Sequence, residues 1–174
     1  MAKVTKTRQD RDLLQRDLEQ IQQWSGTWQI AFNTSKCKVM HIGRTNQKFQ
    51  YSMGKQNLET VSDQRDLCIQ LTADLKPSKQ CQKAYYKASK VLGMITRTFS
   101  YKGRDIMVRL CKSLVRPHLE FCISAWSPYY KKDKELLERV QHRFTRMFPG
   151  LRTLPHAHRL QLLGCVFGRE TKPF

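Results

Sequence analysis

The side chains with chemistry to offer in this sequence are cations set on a helical period. Lys76, Lys79, Lys83, Lys87, Lys90 and Arg97 recur at steps of 3, 4, 4, 3 and 7, and no acidic residue lies between Lys76 and Arg104. Arg109, Lys112 and Arg116 form a second row, and Arg139, Arg143 and Arg146 a third. Rows of ammonium and guanidinium groups suit a phosphate backbone. Each neutralised phosphate releases counterions, which yields sequence-independent affinity that falls steeply with salt. The plainer alternative is a solvated helix face. Against it, like charges at i,i+4 repel by roughly a few tenths of a kcal/mol per pair when nothing answers them.

Other chemistries have less support. Cys111, His118 and Cys122 match no zinc spacing and show no fourth ligand, and Cys37 with His41 reads as strand packing. Gly93, Gly103, Gly150 and Gly164 are isolated, so no glycine-rich loop cradles a phosphate. No cysteine has the setting of a hydrolase nucleophile. The rings of Trp126, Tyr129 and Tyr130 could stack on bases, but a buried plug between helices is their expected role. Neither a metal nor a cofactor is expected.

The bulk composition points the same way as the rows. Among 174 residues, 32 Lys+Arg stand against 14 Asp+Glu, a net charge of +18. Such an excess argues for a polyanionic partner, nucleic acid first and an anionic membrane surface second. The most apolar window, 119–130, is interrupted by Glu120, Ser124, Ser127 and Pro128 and falls short of the ~20 residues of a span, so no membrane partner is expected. Residues 1–8 hold no apolar stretch of the secretory kind. Six cysteines without a C-x-x-C pair read as reduced thiols. Together these place the chain inside the cell, with nucleus and cytoplasm not distinguished; Lys131-Lys132-Asp133-Lys134 is read as a helix start before a nuclear signal.

Two kinds of element must position the cations. Leu14, Leu18, Ile21, Trp24 and Trp28 define one face of a helix over 7–28. Short strands are expected at 37–42, around Phe49, Tyr51 and Met53, at 58–61 beyond a Gly54-Lys55 turn, and at 67–71. Pro77 then closes the preceding segment and Ser78 is placed to cap a new helix. Helices are expected at 78–99, 104–123 with a bend near Pro117, 132–148 and 155–163. In the first of these, Cys81, Tyr85, Ala88, Leu92, Ile95 and Phe99 form an apolar seam, and Lys83 lies about 200° around the helix from Cys81. Met107, Leu110 and Leu114 flank the second cationic row; Leu137, Val140, Phe144 and Met147 flank the third. The fold class is therefore α+β: a helix with a small antiparallel β segment over 1–75, an all-α bundle over 76–164, and a frayed tail over 165–174.

Phe32-Asn33-Thr34-Ser35-Lys36-Cys37-Lys38-Val39-Met40-His41-Ile42-Gly43 resembles the reverse transcriptase of non-LTR, LINE-like retrotransposons. The resemblance continues through Leu75-Lys76-Pro77-Ser78-Lys79-Gln80-Cys81, Val91-Leu92-Gly93 and Val115-Arg116-Pro117-His118-Leu119-Glu120-Phe121-Cys122. It extends to Ala125-Trp126-Ser127-Pro128 and Leu136-Leu137-Glu138-Arg139-Val140-Gln141, and covers 13–164 in order. It implies a palm remnant over 1–75 and a thumb over 76–164 that grips an RNA or DNA duplex or an RNA–DNA hybrid. Lys36 matches the palm lysine that the family is thought to use as proton donor to pyrophosphate. Around 66–71 the family's primer grip usually has Leu-Gly, where this chain has Leu67-Cys68; a glycine there serves a backbone geometry that a Cβ opposes.

One departure bears on catalysis. The family's Phe/Tyr-Ala-Asp-Asp box, expected just before the first helix, has no counterpart here, and the nearest acidic pair, Asp10 and Asp12, lies in or beside that helix. Two-metal phosphoryl transfer needs such carboxylates. The expectation is a truncated remnant without polymerase activity that binds nucleic acid non-specifically. An inert product of a decayed element, or an interaction module for a full-length reverse transcriptase, is the alternative.

Overall fold

The computed structural model describes residues 1–101 and 103–164; the expected tail over 165–174 lies outside them. The fold is α+β, and the chain divides into two compact units, Met1–Lys76 and the part from Pro77 onward.

The first unit opens with α1 (Arg8–Thr27). Its N-terminus is closed by a capping box in which the Thr7 side chain accepts from the Asp10 amide and the Asp10 carboxylate accepts from the Thr7 amide. Those backbone amides, with that of Lys6 first, hold the Asp10 carboxyl below its ordinary range. Leu14, Leu18 and Ile21 pack against Tyr51, Met53 and Leu58. Trp24 and Trp28, expected on the same buried face, stay 52% and 64% exposed. A 20-residue helix is about 30 Å long, and the apolar cluster beneath it reaches only from Leu14 to Ile21.

The strands are shorter than alternation suggested. Pairing is parallel between β1 (Lys38–Val39) and β4 (Glu59–Thr60), and antiparallel between β2 (Ser52–Met53) and β3 (Gln56–Asn57). Gly54 turns the latter hairpin at φ +63°, where a Cβ would also meet the Gln22 side chain at 2.5 Å. The Gln15 amide completes the β2 edge, accepting from Ser52 N and donating to Ser52 O, both at 3.1 Å. A side chain of α1 thus satisfies backbone groups that no strand pairs.

The strand expected at 67–71 is instead half of a hairpin, in which β5 (Asp63–Asp66) pairs antiparallel with β6 (Ile69–Thr72). Leu67 and Cys68 form its two-residue turn at φ +44° and +68°. Two-residue hairpin turns with both central φ positive match the right-handed strand twist, and they favour Asn-Gly or Gly-Gly. Cys68 therefore sits where a Cβ is opposed. Cys68→Gly is expected to stabilise the protein by about 0.5–1 kcal/mol, read as a higher urea midpoint by tryptophan fluorescence. An unchanged or lower midpoint would contradict a strained turn.

The second unit is helical. It comprises α2 (Ser78–Thr98), α3 (Arg104–Leu110), a π-turn over Cys111–Val115, α4 (Arg116–Glu120), α5 (Ile123–Trp126), α6 (Lys131–Thr145), a 3₁₀ turn over Pro149–Leu151 and α7 (His156–Leu163). α2 and α6 run side by side in the same direction. Ser78 meets Asp133 near their N-termini, and Thr96 meets Met147 at the other end. Ser78 does not cap its helix as expected. Pro77 holds the cap position, and the Ser78 hydroxyl donates to Asp133 Oδ2 at 2.6 Å.

The bend expected near Pro117 takes the form of the π-turn, in which the Arg116 N–H donates to Cys111 O. Proline removes one helical donor and its ring clashes with the carbonyl four residues back; the wider turn ahead of it relieves that conflict. The turn also resets the buried face. Met107, Cys111, Val115 and Leu119 point inward at steps of four, and Leu114, expected beside the cationic row, is rotated out to 42% exposure. These four residues close on Ala88, Leu92 and Ile95 of α2 and on Val140 and Phe144 of α6. Trp126 is the buried plug that was expected, its Nε1 donating to Phe121 O at 2.7 Å. Tyr129 is not; it lies 82% exposed, edge-on to Tyr130.

Candidate nucleic-acid interface

The period-3.6 rows place their cations outward because the intervening apolar residues are drawn inward. Lys79, Lys83, Lys87, Lys90 and Arg97 are all exposed on α2, opposite the buried Cys81, Ala84, Ala88, Leu92 and Ile95. Arg109 and Lys112 are exposed as well. Arg116 differs: it is partly buried, and its Nε donates to Glu120 at 2.7 Å within the same helix. Lys36 closes an exposed 3₁₀ turn over Thr34–Lys36. Among the described residues, no group of three or more His, Cys, Asp or Glu side chains could hold a metal ion. Cys37 packs beside the first unit's apolar cluster, Cys81 and Cys111 are buried, and Cys68 and Cys122 are exposed. Burial, followed by the nearby Asp133 charge, pushes the Cys81 thiol up to about 12, which keeps it protonated and inert.

The third row does more than line a helix. Arg139, Arg143 and Arg146 border an open depression of about 470 Å³ together with Thr96, His142, Met147 and Arg152. Arg152 is brought in by the turn after α6, where its Nε donates to Arg146 O at 3.1 Å. At its border, the His142 ring stacks on the His156 ring with centroids 3.5 Å apart and planes 14° from parallel. Arg159 of α7 is only 3% exposed, and one of its terminal amino groups lies 3.4 Å from His142 Nδ1.

The electrostatics of this cluster follow from burial and sign. Desolvation first, and then the charges of Arg159 and Arg146, hold His142 below its ordinary pKa, with Glu138 opposing weakly. His156 is driven to about 4 by burial, by His142 and by the same two arginines. Both rings are therefore neutral at pH 7. Arg159 can only donate, so it makes Nδ1 of His142 the acceptor and leaves the proton on Nε2.

Sequence reasoning identified Arg139, Arg143 and Arg146 but not Arg152, Arg159 or the two histidines. A signal for Arg159 did exist, since it stands four residues before the buried Leu163 and so on the inward face of α7. No protein-family model, curated protein or solved structure matches this chain. Among the described residues, no helix is long and apolar enough to cross a membrane.

Proposed function

We propose that the chain corresponds to the end of the palm and the thumb of a LINE-like reverse transcriptase, and that its helical unit binds nucleic-acid duplexes or RNA–DNA hybrids without reading sequence. The observation that carries this reading is the disposition of charge. Lys79, Lys83, Lys87, Lys90 and Arg97 of α2 and Arg139, Arg143 and Arg146 of α6 are exposed cations on helices whose opposite faces form one core. Such surfaces meet phosphates, not base edges. The proposed role is binding and not polymerisation. Consistent with that, Asp10, half of the acidic pair nearest to where the resemblance would put metal ligands, is engaged in capping α1.

Binding to a labelled RNA–DNA hybrid at two salt concentrations tests the proposal. Engagement of at least four phosphates is expected, so raising salt from 50 to 200 mM should weaken binding by about 100-fold or more. Absence of binding up to high-micromolar protein, or binding indifferent to salt, would remove the proposed role.

A second reading has its own observation. Trp24, Trp28, Ile30 and Phe32 are 52%, 64%, 54% and 39% exposed at and beyond the end of α1. Apolar side chains so concentrated on a surface suit docking, which fits an interaction module for a full-length reverse transcriptase. Co-purification of the chain with such a polymerase, and its loss in Trp24→Ser/Trp28→Ser, would support this reading over the first.

A further inference from the structure

We propose that the depression beside α6 is a discrete site for a phosphate group, contacted by Arg139, His142, Arg143, Arg146 and Arg152 and backed by the buried Arg159. It shares three arginines with the proposed duplex-binding face, but it needs none of the lysines on α2.

Three observations converge on this site. Four arginines border about 470 Å³, and none of the lining residues is acidic; a depression of that size holds a phosphate or diphosphate with room for water. Guanidinium forks match phosphate oxygens two at a time, so four arginines lining one open depression offer an anion more donors than a solvated helix face would need. Second, Arg159 carries a permanent charge at 3% exposure, without an ion pair among the described residues, and its Nε has no hydrogen-bond partner. A buried charge is costly unless something answers it. Among the described residues no carboxylate answers it, and an anion held in the depression beside His142 would do so. Third, the contact from Arg159 to His142 Nδ1 leaves His142, which lines the depression, with a neutral Nε2–H to donate. The stack on His156 holds that ring in place. The ligand chemistry is thus a phosphate group, carried on a nucleic-acid strand as a backbone diester or a terminal phosphate, or present as free diphosphate.

Calorimetric titration of the full chain with inorganic pyrophosphate, at constant ionic strength and pH 7.5, tests the site. Saturable one-site binding is expected, weakened at least 10-fold in Arg146→Gln/Arg152→Gln, whose altered residues are exposed and leave the core intact. Arg159→Met supplies an independent arm. It should melt higher than the parent without ligand, since it removes the buried charge, and should lose the upward melting shift that pyrophosphate gives the parent. Lys87→Gln/Lys90→Gln on α2 should keep pyrophosphate affinity within twofold while losing hybrid affinity. If hybrid binding is absent and pyrophosphate still saturates, duplex binding fails and this site stands. A 5′-phosphorylated hexanucleotide that displaces pyrophosphate better than its 5′-hydroxyl form assigns the phosphate to a strand end; equal displacement by both assigns it to the backbone. Non-saturating heats, or equal affinity in Arg146→Gln/Arg152→Gln, would mean an adventitious ion only and would overturn the proposal.

Discussion

Asp133→Ala is expected to lower the unfolding free energy of the helical unit by about 2–4 kcal/mol. Asp133 lies in the first turn of α6 and is 3% exposed. Its carboxylate accepts the Ser78 hydroxyl at 2.6 Å in the first turn of α2. The negative group therefore sits where the positive end of the α2 dipole emerges, and its removal loses two contributions. A hydrogen bond to an ionised group is worth about 1.5–3 kcal/mol, and a partly buried charge–dipole contact up to about 2 kcal/mol. Alanine also leaves the Ser78 hydroxyl to find another acceptor in a partly buried place. Asp133→Asn should cost less, because the amide oxygen can still accept. Ser78→Ala should cost about 1 kcal/mol, and the double variant less than the sum of the singles, since both act through one contact. Urea unfolding followed by far-UV circular dichroism at pH 7 measures all four. A loss below about 0.5 kcal/mol for Asp133→Ala would show that this contact does not clamp the two helices.

The second large effect is acid destabilisation between pH 6.5 and 4. His156 titrates near 4 in the folded protein, against 6.5 when solvated. Burial is the largest cause, and His142 on α6 and the cations Arg159 and Arg146 add to it by opposing a further positive charge. The folded pKa is the lower one, so on acidification the unfolded chain takes up the proton first. The histidine's contribution is fully present above pH 6.5, falls as pH drops towards 4, and levels off below that. Its size is about 3 kcal/mol at one pKa unit per 1.36 kcal/mol, and His142 adds to it in the same direction. The Asp10 and Asp74 carboxyls are also held below their ordinary range, by backbone amides at Asp10 and by the Thr72 hydroxyl and then the Lys76 amide at Asp74. Their contributions are present above the ordinary carboxylate value and decline beneath it, so the window from 6.5 to 4 isolates the histidines. Unfolding free energies measured at half-unit intervals in chloride buffer should fall across that window in the parent and fall much less in His142→Gln/His156→Gln, where only His41, held below its ordinary value by burial and then by Lys48, still contributes. A flat profile in the parent would mean that the stacked rings protonate without consequence.

Much of the helical layout was legible because its causes are local. The seam through Cys81, Ala88, Leu92 and Ile95 repeats every 3.6 residues, and that period alone sends Lys83, Lys87 and Lys90 to the opposite side. Thr7 and Asp10 lie three apart and close the start of α1 by contacts within a single turn. Proline at 117 announced an irregularity, but not its form. Whether the chain kinks, breaks or widens depends on which residues the neighbouring helices accept. The core took Val115 and not Leu114, so the turn had to gain a residue. The β segments were legible only as tendencies. Alternation suggested a strand at 67–71, whereas hairpin pairing from Asp63 to Thr72 made Leu67 and Cys68 the turn.

The candidate site divides along the same line. Sequence by itself determined the sign of the surface and the rows on which its cations lie, because helical period and charge are properties of neighbouring residues. Tertiary structure alone decided that Arg152 joins Arg139, Arg143 and Arg146 around one depression, that His142 stacks on His156 fourteen residues later, and that Arg159 is buried behind them. Each of these depends on the chain reversing after α6 and on which face of α7 the core admits. Those outcomes belong to the packing of whole elements, and no single stretch of sequence carries them.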